Sequence, residues 1–229
     1  MVKNDDKQEK KLISDILADF IQRNRKPLLT GAAALIVLLG GGVIGMSVRG
    51  ALERRAISRA EAFNERYEAL RFDINESSKA EEVRVLLEEL GAFAGGNAGY
   101  AGSRASALIG AIQGDQKNWG EAEQAWLAAA KKGAKTYLAS AALYNAAIAA
   151  EEGGNADAAI GYLRECLAYR DEFPAAARAQ FAIGRLLESL QRKDEAIEAY
   201  RELIENWPTE TVWTNLANSR ILTLSGSNS

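Results

Sequence analysis

One period constrains this 229-residue chain more than anything else in it. Gly110, Ala147 and Gly184 are spaced by 37 residues; so are Ala122, Ala159 and Ala196, then Trp126, Leu163 and Tyr200, then Ala129, Cys166 and Leu203. Within a unit the offsets are 12, 4 and 3 residues, the pattern of two helices joined by a turn. Small residues at the first two positions let antiparallel helices touch, and the aromatic or leucine side chain fills the gap beside them. No single hairpin of this kind can bury its apolar face, so the units are expected to stack into an all-α solenoid.

Composition then removes most catalytic chemistry. There is no histidine and one cysteine, Cys166, so Ser-His and Cys-His pairs, His-ligated zinc and an intrachain disulfide are all excluded. Cys166 falls at a packing position, and Trp119, Trp126, Trp207 and Trp213 read as core or cap residues. The pairs Glu81 and Glu82, Glu88 and Glu89, and Glu151 and Glu152 point about 100° apart on a helix, so they read as solvated faces. No catalytic residue, cofactor or metal is expected. Residues 1–49 carry eight Lys/Arg against five Asp/Glu, while the remainder carries 20 against 26. An acidic body of this kind has no footprint for nucleic acid.

Residues 27–48 hold no charge and are flanked by Arg23, Arg25, Lys26 and Arg49. As a helix they would measure ~33 Å against a ~30 Å hydrocarbon core, which predicts a single transmembrane helix. The run is too long for a cleaved signal peptide, and no cysteine follows it to serve as a lipoprotein site. Basic residues on the two sides nearly tie, so charge does not orient the span. Gly41 and Gly45 form a G-x-x-x-G pair on it. Ahead of it, in 1–26, Leu12, Ile13, Ile16, Leu17, Phe20 and Ile21 form one apolar helical face, suited to a bilayer surface or to a membrane partner. Behind it, 49–102 reads as a helical stalk with the stripe Leu52, Ala56, Ala60, Phe63, Tyr67 and Leu70. A second helix follows over 80–93, then a glycine-rich hinge or loop over 91–102.

The repeat offsets resemble those of the tetratricopeptide repeat. The best unit is 177–210, with Gly184, Leu187, Ala196, Tyr200 and Pro208; 103–136 offers Gly110, Trp119, Ala122 and Trp126, and 140–173 offers Ala147, Gly154, Ala159 and Leu163. Pro174 and Pro208 are read as the ends of second helices. Residues 103–225 would thus hold three repeats and a capping helix over 209–223, with Trp213, Leu216, Ala217 and Ile221. The resemblance implies a polypeptide-binding groove on the first helices, lined by Arg104, Ala107, Ala111, Tyr144, Ile148, Arg178, Phe181 and Arg185. Ala107, Tyr144 and Phe181 stand where carboxylate-binding members would want Lys or Asn, so an extended, partly apolar segment fits better. A neighbouring segment, the stalk or 91–102, is the alternative occupant.

The layout as a whole, with 15–41 at its start, resembles bacterial inner-membrane tetratricopeptide proteins that accompany the Sec translocon and act as periplasmic chaperones. That resemblance implies a bacterial inner-membrane protein with 1–26 in the cytoplasm and the repeat domain in the periplasm. Its partners would be translocon subunits or client polypeptides, together with the lipid bilayer. The alternatives are a scaffold subunit of a large envelope complex, such as a secretion system or flagellar motor, and a cytosol-facing receptor.

Overall fold

The computed structural model describes residues 16, 18–72, 76–134, 136–169, 171 and 173–226, without the side chains of 28, 32, 33, 36–44, 76 and 77. Every regular element among them is helical. After a helical stretch over 18–23 come α1 (Arg25–Arg71), α2 (Glu76–Gly96), α3 (Gly99–Asp115), α4 (Trp119–Lys132), α5 (Leu138–Glu152), α6 (Ala156–Leu167), α7 (Ala176–Ser189), α8 (Lys193–Asn206) and α9 (Thr211–Gly226). The chain divides into two units, Met1–Arg54 and Arg55–Ser229.

In the first unit, Ile16, Phe20 and Ile21 are 63%, 56% and 50% exposed, while Leu12, Ile13 and Leu17 lie outside the described residues. The uncharged stretch lies within α1. Among the described residues, however, no helix is long and apolar enough to cross a membrane, so the structure does not support the expected transmembrane helix. The middle of that stretch, with Gly41 of the glycine pair, lies outside the described side chains.

The second unit is a succession of antiparallel hairpins in which each helix packs on its chain neighbours: α3 with α4, α5 with α6, α7 with α8, and α9 closing the end. The 37-residue positions form its seams. Ala122, Ala159, Ala196, Ala129, Cys166 and Leu203 are all fully buried. A Cβ on Gly110 would lie 2.8 Å from the Trp126 ring, and one on Gly184 would enter the Tyr200 ring. In the middle repeat Leu163 replaces the ring, and alanine, Ala147, takes the glycine's place. The small and large positions therefore covary by volume within one chain.

The turns inside the hairpins repeat as closely. Lys117, Gly154 and Gln191 have φ of 61°, 83° and 59°, again 37 residues apart. Each closes its helix with a Schellman pair: Lys117 N–H donates to Gly114 O and Asn118 N–H to Gln113 O, and both bonds recur 37 and 74 residues later.

Three expectations need correction. Residues 55–96 are not a stalk: Phe63, Tyr67 and Leu70 of α1 share a core with Val83, Leu86, Leu90 and Ala94 of α2 and Ala105, Leu108 and Ile112 of α3. The array thus gains a hairpin at its start. The glycine-rich run is helical on both sides of a break at 97–98, because Leu90 and Ala94 are buried in that core and Lys132 Nζ donates to Ala94 O and Asn97 O at 2.7 and 3.1 Å. Gly102 is required there, since any Cβ would strike the Asn97 carbonyl. Pro174 does not end a second helix; α6 stops at Leu167, and Pro174 precedes the first turn of α7.

Candidate functional site

The first helices α3, α5 and α7 present one face that is not covered by their hairpin partners. It holds a cleft of about 370 Å³, lined by Tyr144, Ile148, Arg178, Phe181, Arg185 and Trp213 among others. Five expected groove residues therefore come together between α5 and α7, and α9 adds a wall. Arg104, Ala107 and Ala111 line a separate cleft of about 210 Å³ with Asn64, Trp126 and Asn145.

The rings in the larger cleft are not bare. Phe181 packs on Tyr200 and Trp213 with centroids 5.3 and 5.5 Å away, and Tyr144 packs on Phe173 at 5.8 Å. Burial pushes the Tyr144 hydroxyl above its ordinary value, against the pull of Arg178. Phe181 and Tyr144 thus belong partly to the core and partly to the cleft. Ile148, 38% exposed, is its most open apolar side chain.

The arginines fall into two kinds. Arg185 is gripped by Glu151 through two hydrogen bonds of 2.6 Å, and Arg104 by Glu61 through two of 3.1 Å. Arg220 of α9 is held in the same two-pronged way by Glu188, which also accepts the Tyr200 hydroxyl at 2.7 Å. Arg178 instead lies over the Tyr144 ring, 5.5 Å from its centroid, with no carboxylate beside it among the described residues.

Sequence reasoning missed Glu61, Glu151 and Trp213 as parts of this face. The signal for Glu151 lay in the repeat itself: it pairs 34 residues on, one period less one helical turn. Cys166 is buried, its thiol is pushed up to about 12, and it donates to Ser140 O at 3.3 Å, so it packs rather than reacts. Among the described residues no acidic or cysteine cluster could hold a metal.

Residues 109–168 and 165–211 each match the family model of the tetratricopeptide repeat. Residues 109–211 carry tetratricopeptide repeats. A TPR repeat-containing protein of Treponema pallidum (strain Nichols) is 34% identical over 127 residues, 56% of this chain and 52% of that protein. The chain therefore spans about half the length of this curated relative. A solved structure, Rap protein complexed with competence and sporulation factor, aligns over 72% of this chain and 53% of its own, with 18% identity and a TM-score of 0.46. The tetratricopeptide match covers both sides of the larger cleft, α5 and α7, and makes this part of the chain a protein–protein interaction module.

Proposed function

We propose that this tetratricopeptide protein is a non-enzymatic module that binds polypeptides in the α5–α7 cleft, anchored to a membrane and working on its extracytoplasmic side beside a translocon or as a chaperone. The observation that carries the binding role is the cleft itself. It is walled by Ile148, Phe181 and Trp213 and has charge at its rim, the apolar floor and polar edge that partner chains use. The uncharged residues 27–48, with basic residues on either side, support the anchor, and the layout resemblance supports a bacterial inner membrane with the repeats in the periplasm.

A photo-crosslinking amino acid at Ile148 tests the binding role in native membranes, with the same group at Glu165, exposed on α6, as the control. Translocon subunits or a spread of secreted polypeptides captured only from position 148 are the expected result. Equal capture from both positions overturns it. One fixed partner in stoichiometric yield would instead favour an envelope scaffold. Alkaline carbonate washing should leave the chain in the membrane pellet; recovery in the supernatant overturns the anchor. Protease added after outer-membrane permeabilisation should digest the repeats, and their full protection overturns the periplasmic placement.

A further inference from the structure

We infer that the cleft is specific for an extended segment with an acidic side chain in its interior, and that Arg178 is the group that reads it. The inference rests on the binding role proposed above and adds the chemistry of the ligand.

Four arginines stand on α3, α7 and α9. Arg104, Arg185 and Arg220 each have both prongs satisfied by a glutamate, Glu61, Glu151 and Glu188 respectively. Each such pair is already neutral, and recruiting that arginine to a ligand would strand its glutamate. Arg178 differs. It is exposed, it lines the cleft, and among the described residues its recorded partner is the face of Tyr144, which occupies none of its N–H donors. A planar guanidinium laid on a ring is oriented in advance, so less rotamer freedom is lost when a carboxylate docks on it. Arg178 thus sits next to the apolar floor of the cleft with its N–H donors open, while the exposed Glu152 carboxylate, also on the lining, is the charge a bound acid would have to avoid.

Register says why the acid should be internal. The row that holds Ile148 and Arg185 continues, at the same 37-residue step, to Ala111 on one side and Leu222 on the other, and Leu222 is 74% exposed. By register, Ala111 of the separate cleft and the exposed Leu222 of α9 thus flank the larger cleft, the two sides on which a longer segment would run. First helices about 10 Å apart would match every third residue of an extended chain.

The test uses the full chain in detergent and three fluorescein-labelled, C-terminally amidated peptides, Ala-Leu-Ala-Ala-Glu-Ala-Ala-Leu-Ala and its counterparts with Gln or Lys for Glu. Fluorescence anisotropy should show the Glu peptide binding about tenfold or more tightly than the Gln peptide, with the Lys peptide weakest. Arg178→Gln should erase the difference between Glu and Gln without abolishing binding of the Gln peptide. Arg178→Lys should retain part of it. Equal binding of all three peptides, or a Glu preference that survives Arg178→Gln, overturns this inference and leaves the binding role standing. A Gln peptide that binds only as its free C-terminal acid shows end recognition and also overturns it. If no peptide binds, the binding role falls and this inference with it.

Discussion

At the scale of single residues, the seams of this molecule are matched volumes. Trp126 and Tyr200 lie against glycine, and Leu163 against alanine, because the closest point of each hairpin has room for a fixed sum of side-chain atoms. Gly110→Ala should accordingly destabilise the repeat unit by about 1–3 kcal/mol, although alanine is the better helix former. Adding Trp126→Leu, which recreates the middle repeat's pair, should recover part of that loss. Denaturant midpoints of the single and double variants measure the coupling, and simple additivity would refute it. The turns give a second prediction. Lys117 and Gln191 hold the left-handed conformation that Gly154 adopts freely, so Gln191→Gly should stabilise the chain by about 0.5–1 kcal/mol, read as a raised unfolding midpoint. Of these details the period revealed which positions mattered. It did not reveal the positive φ at Lys117 or Gln191, since neither residue type announces it.

At the scale of helices, the hairpin α1–α2 and the closing helix α9 end the stack in different ways. The first end is hydrophobic: Leu86 and Leu90 are wholly buried between α1, α2 and α3. Leu86→Ala should cost about 2–5 kcal/mol, measured by chemical denaturation, whereas a free stalk would tolerate it. This packing was hidden in the sequence because the 37-residue register stops at Gly110; one period earlier the position is Asp73, and the hairpin is held by a different set of large side chains. The other end adds an ion pair to its packing: Ala217 is wholly buried, Trp213, Ile221 and Leu224 pack on the core, and Arg220 grips Glu188. Arg220, and more weakly the Tyr200 hydroxyl, hold the Glu188 carboxyl below the usual carboxylate range. The folded chain therefore takes up that proton less readily than the unfolded one. The stabilisation is complete above the ordinary glutamate value of about 4.3 and is lost as pH falls through the lower folded value. The melting temperature of Glu188→Gln should sit below that of the parent at pH 7, and the gap should narrow towards pH 3. A constant gap would mean that α9 is held by packing alone.

At the scale of the molecule, the repeat architecture was legible because it is written redundantly, three times over in small and large residues. The cleft was legible to the extent that register carries it: Tyr144, Ile148, Arg178, Phe181 and Arg185 all line it. What was not legible is which charges are spent on one another, because the grip of Glu61 on Arg104 spans 43 residues and crosses the point where the register breaks. The recurring turns at Lys117, Gly154 and Gln191 have a last consequence. Chain enters and leaves each of them with the same bonds, so they are interchangeable joints, and the array is in effect a ruler with a cut mark every 37 residues. Removing 118–154 would join Lys117 to Asn155 through a turn the molecule already knows how to make, beginning the same Schellman closure and the same next helix. Circular dichroism of that shortened chain should show a cooperative helical fold. Deletions of 33 or 41 residues from the same joint, about one helical turn shorter or longer, should not, because the small and large faces would then no longer meet.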